Sequence, residues 1–183
     1  HQFEKEYPKL KKKVTSALRN KNDNLALPMF TLLNTYMRIG NEIYYKTHKH
    51  KGLTTLKKQD IKIKGKEVTF NYLGKDGVPR LITKTFPQTY ITRLTKHLKS
   101  LKKDSFVFTN SNGRPLKDQK FKEAFKNYCV KEFYPHIVRS YHATSRAQEF
   151  LKTHKTTNKK EMVAFFSSVA EDLGHKKFSK KDN

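Results

Sequence analysis

Apolar positions in the first 47 residues recur every three to four places, the spacing of one helix face. Leu10, Val14, Ala17 and Leu18 form such a face within residues 3–20, with Pro8 early in the helix or at a break in it. A polar connection, Asn20–Asn24, leads to a second periodic stretch over 25–47, with Leu25, Met29, Leu32, Leu33, Tyr36, Ile39 and Ile43 as its stripe and Gly40 as a weak point. A loop over 46–52 precedes Leu53–Leu56. The period changes to two at Asp60: Ile61-Lys62-Ile63-Lys64 alternates, Gly65 turns the chain, and Val68, Phe70 and Tyr72 alternate again. Gly74-Lys75-Asp76-Gly77 is a hairpin turn, and residues 80–86 alternate a third time, which predicts a three-stranded antiparallel meander. Pro87 opens a helix to about Lys99. Phe106-Val107-Phe108 reads as a short strand or buried turn, and Asn110–Gly113 as a loop. Residues 116–133 predict a helix with Phe121, Ala124, Phe125 and Tyr128 inward; Pro135 separates it from a helix over His136–His154. A last helix over 158–174 ends at Gly174, a C-terminal glycine cap.

The expectation is an α+β, mainly helical single domain over 1–183: helical over 1–56, a small meander over 57–86, helical over 87–175, and a basic tail over 176–183. Hydrophobic residues make up 35% of the chain, which is low, but thirteen Phe and nine Tyr suffice for a core. Forty Lys and Arg against sixteen Asp and Glu leave a formal charge of +24. The basic residues are spread over the whole chain, which suggests a folded basic surface that meets a polyanion, nucleic acid before an anionic membrane. One cysteine, Cys129, excludes a disulfide scaffold and suits a reducing, intracellular compartment. No run approaches 18 apolar residues, so no membrane span is expected, and His1–Leu10 lacks the apolar core of a signal peptide. The missing initiator Met suggests a piece of a longer protein.

Four motifs carry candidate chemistry. Lys75 sits at the hairpin tip, either simply solvated or able to reach a nucleic-acid groove; the flanking residues do not make a P-loop. His136 and Arg139 share a helix face, a pairing suited to a phosphate or merely two solvated polar side chains. His175 follows the Gly174 cap and points out of its helix, or is a satisfied structural histidine. Arg38, within an otherwise apolar helix, needs an anion, and Glu42 one turn later is the plain partner. His48 and His50 lack a matched pair of further metal ligands, no Gly-x-Ser-x-Gly is present, and the acids form no tight cluster to hold magnesium.

Together, the order Arg38, Lys75, His136-Ile137-Val138-Arg139, His175 resembles the catalytic set of type IB DNA topoisomerases, of the small bacterial and poxvirus kind, and more distantly that of tyrosine recombinases. Arg38-Ile39-Gly40-Asn41-Glu42, Gly52-Leu53-Thr54-Thr55-Leu56, Gly65, Val68-Thr69-Phe70 and Gly74-Lys75-Asp76-Gly77 look like the topoisomerase stretch from first arginine to catalytic lysine. Arg139-Ser140-Tyr141 looks like its second arginine motif and Leu173-Gly174-His175 like its histidine motif. His136 is a departure, since small topoisomerases often carry lysine there.

The resemblance implies a DNA breaking-rejoining domain that acts on double-stranded DNA as a monomer, with no cofactor, metal or membrane, in a cytoplasmic setting, bacterial or viral. It implies attack of a tyrosine on a phosphodiester, a 3′-phosphotyrosyl link, swivelling of the duplex and religation. Arg38, Arg139 and His175 would hold the non-bridging oxygens, Lys75 would be general acid and His136 a second donor. The family's tyrosine follows the Gly-His motif by about nine residues; here that count reaches position 184, beyond Asn183, and no Tyr lies beyond Tyr141. Tyr141 is a poor substitute, two residues past Arg139 on one helix. The expectation is a catalytic domain without its nucleophile or the N-terminal DNA-clamping domain, and therefore inactive alone. The alternatives are a tyrosine recombinase domain, or a basic nucleic-acid-binding module without chemistry; in such a module Arg38, Lys75, Arg139 and His175 would lie far apart.

Overall fold

The structure, a computed structural model, describes residues 2–155 and 157–175. The expected basic tail over 176–183 lies outside the described residues. The described residues form seven α-helices and one three-stranded sheet: α1 (Gln2–Ala17), α2 (Ala26–Thr35), α3 (Glu42–His48), β1 (Ile61–Lys64), β2 (Glu67–Leu73), β3 (Pro79–Thr85), α4 (Gln88–Lys99), α5 (Asp118–Cys129), α6 (Ile137–Thr153) and α7 (Lys159–Leu173). The mainly helical α+β class with a small antiparallel meander is thus the fold observed. Among the described residues, no helix is long and apolar enough to cross a membrane.

The amphipathic face of α1 buries Phe3, Leu10 and Val14, and Pro8 stands inside this helix. α2 is apolar nearly all round because it runs through the middle of the core, with Met29, Leu32 and Leu33 buried. The buried Thr31 hydroxyl is satisfied by Tyr90 of α4 at 2.7 Å, and Tyr90 stacks on Phe86 at 4.2 Å. The meander has order β1-β2-β3, with Ile61 opposite Phe70 and Phe70 opposite Ile82, so one face joins the core. Arg93 of α4 fastens the α1–α2 connection by donating to the carbonyls of Ala17, Leu18 and Asp23.

One expectation is corrected. The helix read over 25–47 ends at Thr35, and α3 starts at Glu42, so Arg38 lies on the connection and not within a helix. Tyr36 caps α2 with left-handed backbone (φ 58°), and the chain then pairs sideways. Leu53 N–H donates to the Arg38 carbonyl and Thr54 N–H to the Ile39 carbonyl, each at 2.8 Å. These long-range bonds replace helical ones, and Gly40 (φ +86°) lets the segment turn. α5 and α6 are also shorter than expected, because Val130 takes left-handed backbone after α5 and α6 starts only after His136.

Candidate active site

Each expected site residue sits where an element ends. Arg38 is on the α2–α3 connection, which is locked against Gly52: a Cβ there would lie 2.4 Å from Gly40 N and 2.6 Å from the Arg38 carbonyl. Only two glycines allow this backbone contact. Lys75 stands at the β2–β3 tip, where Asp76 (φ 61°) and Gly77 (φ +73°) carry the turn and Gly74 N–H donates to the Val78 carbonyl at 2.8 Å. His136 is the N-cap residue of α6, and Arg139 lies in the first turn. His175 follows Gly174 (φ 72°), which caps α7 as expected.

Arg139 is only 3% exposed. Its Nη1 donates to the Tyr36 carbonyl at 2.6 Å and its Nη2 to the Leu173 carbonyl at 2.7 Å. One guanidinium therefore ties the start of the Arg38 segment to the residue before Gly174. Its buried Nε has no hydrogen-bond partner among the described residues.

Arg38, Lys75, His136 and Arg139 line one cleft of about 480 Å³. Asn41, Tyr44 and His50 complete its rim, and Asp118 is its acidic lining residue. His175 is not among the lining residues but feels the same charges. Loss of solvent pushes its imidazole below the ordinary histidine value, and Arg139, Arg38, Arg80 and His136 push it further. His136 is lowered in the same way, by loss of solvent first and then by Arg139, Arg38 and Lys75. Arg139 itself is lowered to about 10 by burial and by the nearby Arg38 and Arg80. Among the described lining residues, Arg38, Lys75, His136 and Arg139 outnumber the one carboxylate, Asp118. A phosphate would offset this excess, with charge-assisted hydrogen bonds from several donors.

The plainer readings of these residues fare differently. Glu42 pairs with Lys46 at 3.5 Å and leaves Arg38 to the cleft. Tyr141 packs against Phe3 and Tyr7, at ring distances of 5.3 and 4.5 Å, within an aromatic cluster that reaches α1. Among the described residues, no group of three or more His, Cys, Asp or Glu is placed to hold a metal ion.

Sequence reasoning missed Arg80. From β3 its guanidinium donates to the Glu171 carbonyl at 2.8 Å and the Asp172 carbonyl at 2.9 Å, and its Cδ lies 2.6 Å from where a Cβ on Gly174 would stand. It thereby joins the strand after the Lys75 tip to the helix end before His175. The signal was present in the strand: Arg80, Ile82 and Lys84 share the inward phase, while Leu81 points outward and is 70% exposed. Cations on the inward phase of a strand call for buried partners.

Comparison with known proteins places the chain in a family. The model of the family described as eukaryotic DNA topoisomerase I, catalytic core, matches residues 1–183. A relative, DNA topoisomerase 1B of Acanthamoeba polyphaga mimivirus, is 25% identical over 194 residues, covering 96% of this chain and 57% of that protein. The chain thus spans little more than half the length of this relative. Among solved structures, the XerH site-specific recombinase bound to difH substrate, a pre-cleavage complex, superposes with a TM-score of 0.60 at 16% identity, over 97% of this chain and 50% of that one. A post-cleavage complex of XerH with palindromic difH gives 0.61 at 18% identity, over 97% and 49%. At such identity the likeness concerns the fold.

Proposed function

We propose, from the premise that this chain belongs to the DNA topoisomerase I catalytic-core family, that its cleft binds duplex DNA and serves transient 3′-phosphotyrosyl nicking and religation, which relaxes supercoils. The observation that carries the reading is the gathering of Arg38, Lys75, His136 and Arg139 in one cleft, with His175 in the same field. A tyrosine oxygen forms the new bond to phosphorus, and the bond to the 5′-oxygen breaks. Negative charge grows on the non-bridging oxygens, where Arg38, Arg139 and His175 stabilise it. Each Nη of Arg139 commits one N–H to a carbonyl, which fixes the guanidinium at the cleft wall and leaves a second N–H on each for a phosphate oxygen. Lys75 gives the leaving 5′-oxygen its proton, with His136 as second donor. Religation runs the same steps backwards. The phosphotyrosyl link conserves the bond energy, so the proposal includes no nucleotide.

Residues 142–183 contain no Tyr. The transfer is therefore proposed for the protein that carries one beyond residue 183, and residues 1–183 alone are expected to bind without cleaving. Two measurements test this. Duplex affinity of residues 1–183 should fall about 10³–10⁵-fold from 50 to 200 mM salt, as for roughly 6–10 neutralised phosphates. A flat response contradicts the electrostatic reading. The protein with its tyrosine should relax a supercoiled plasmid and, on denaturing quench, remain bound to a 3′ strand end. Exchange of strands between duplexes without relaxation would instead support the recombinase alternative.

A further inference from the structure

The helix end before His175 is held by a second set of contacts that the chemistry above does not use. Asp172 Oδ2 accepts from Arg146 Nη1 at 2.6 Å and pairs with His142 Nε2 at 2.9 Å, both from α6. Arg146 Nη1 also reaches Ser168 Oγ at 3.1 Å. The Tyr36 ring stacks on His142 at 3.6 Å with planes 15° apart, and Lys84 Nζ lies 4.5 Å over the other part of this stack, the Tyr36 ring. The backbone carbonyl of Asp172 is taken by Arg80. One residue thus receives β3 on its carbonyl and α6 on its side chain, three positions before His175. Through His142 the same clamp bears on Tyr36, two positions before Arg38.

We propose that Asp172 and His142 are positioning residues: their clamp sets where His175 stands against Arg38 and Arg139. The clamp stands on its hydrogen bonds and ring stacking; its consequence for cleavage rests on the proposed function. Helix α7 needs such a device because it contributes only Leu173 to the buried residues. Without the clamp, α7 would be held by backbone carbonyls alone, those of Glu171 and Asp172 on Arg80 and that of Leu173 on Arg139, and by its half-exposed apolar side chains. A carboxylate held by two donors from the neighbouring helix fixes the register of α7 on α6. A histidine displaced by about 1 Å from a transferring phosphate can cost as much as 10²-fold in rate.

The first test needs no activity. In residues 1–183, without DNA, the imidazole of His175 is titrated by NMR in the native chain, in Asp172→Ala and in His142→Ala. The charges that act on His175 are those of Arg139, Arg38, Arg80 and His136. Removing a negative charge alone would push its pKa down. Release of the helix end from the cation cluster pushes it up, toward the ordinary value of about 6.5. A rise in both variants supports the clamp; an unchanged or lower value overturns it. Should Asp172→Ala fail to fold, His142→Ala, which leaves the Arg146–Asp172 pair in place, decides the question. The second test uses the protein with its tyrosine. Single-turnover cleavage at saturating duplex should fall roughly 10–10²-fold in Asp172→Ala with DNA affinity within about twofold. In a His175→Ala background the same substitution should cost nothing further. His142→Gln, which keeps a donor near the Nε2 position, should recover most of the rate lost in His142→Ala. An equal loss with or without His175 overturns the positioning role. If the native protein does not cleave at all, the proposed function fails while the NMR titration still judges the clamp.

Discussion

Replacing Arg139 by lysine keeps the charge and removes the fork. The guanidinium spans two carbonyls on separate segments, Tyr36 at 2.6 Å and Leu173 at 2.7 Å. A single ammonium on a flexible stem cannot hold both in that geometry. One buried carbonyl then loses its donor, at a cost of about 1–3 kcal/mol. Relief of like-charge crowding by Arg38 and Arg80 does not offset this, because lysine keeps the charge and its compact ammonium is harder to desolvate. A domain of this size loses roughly 2–4 °C of melting temperature per kcal/mol, so Arg139→Lys should melt about 2–12 °C lower. Calorimetry of residues 1–183 without DNA measures this apart from any chemistry. A melting temperature within a degree of the native one would refute the reasoning, and with it the view that Arg139 couples the Arg38 segment to the His175 turn.

Acidification should destabilise the free chain and tighten its hold on DNA. His136, His142 and His175 are all lowered by loss of solvent and by nearby cations, although Asp172 partly counteracts this for His142. The unfolded chain therefore binds protons first, and stability present above about pH 6.5 is lost as pH falls through that value toward the folded ones. A bound phosphate favours the protonated forms of His136 and His175, so duplex affinity should rise between pH 7.5 and 5.5 while urea midpoints fall; two flat profiles would contradict the cluster. Gly52→Ala forces a Cβ to 2.4 Å from backbone, so the Arg38 segment must shift, whereas Gly65→Ala meets nothing within 4 Å and carries backbone strain alone. The first should melt lower by several degrees and bind duplex more weakly, the second should change binding little, and equal effects would show that the Gly40–Gly52 contact does not place Arg38.

The meander was legible because period-two alternation and Gly74-Lys75-Asp76-Gly77 are local signals that agree. The C-terminal helices were legible in kind, and Gly174 marked the end of α7 correctly. The break after Thr35 was not legible. The apolar stripe runs on through Tyr36 and Ile39, but the chain leaves the helix at Tyr36 and its next carbonyls are taken by distant partners, that of Tyr36 by Arg139, 103 residues away, and those of Arg38 and Ile39 by Leu53 and Thr54. Arg38 was nevertheless found, because its motif words survive a wrong secondary-structure assignment. Arg80 left a local trace, a cation on the inward phase of β3, but its partner did not, because the Arg80–Asp172 bond spans 92 residues of sequence. Motif order thus located the residues that meet the cleft, and long-range hydrogen bonds, which no local pattern encodes, account for how they are held.

In the proposed chemistry Lys75 is the proton donor among cations that otherwise bind charge. In the protein with its tyrosine, Lys75→Ala should slow cleavage of an ordinary duplex by roughly 10²–10⁴-fold. With sulfur in place of the bridging 5′-oxygen, the leaving group is a thiol of pKa about 8.5 and departs with little help. The Lys75→Ala defect should then largely vanish, while Arg38→Ala stays defective on both substrates because the non-bridging charge it meets is unchanged. Equal rescue of both variants, or of neither, would contradict the assignment of Lys75 and leave His136, beside Arg139 in the same cleft, as the donor to test.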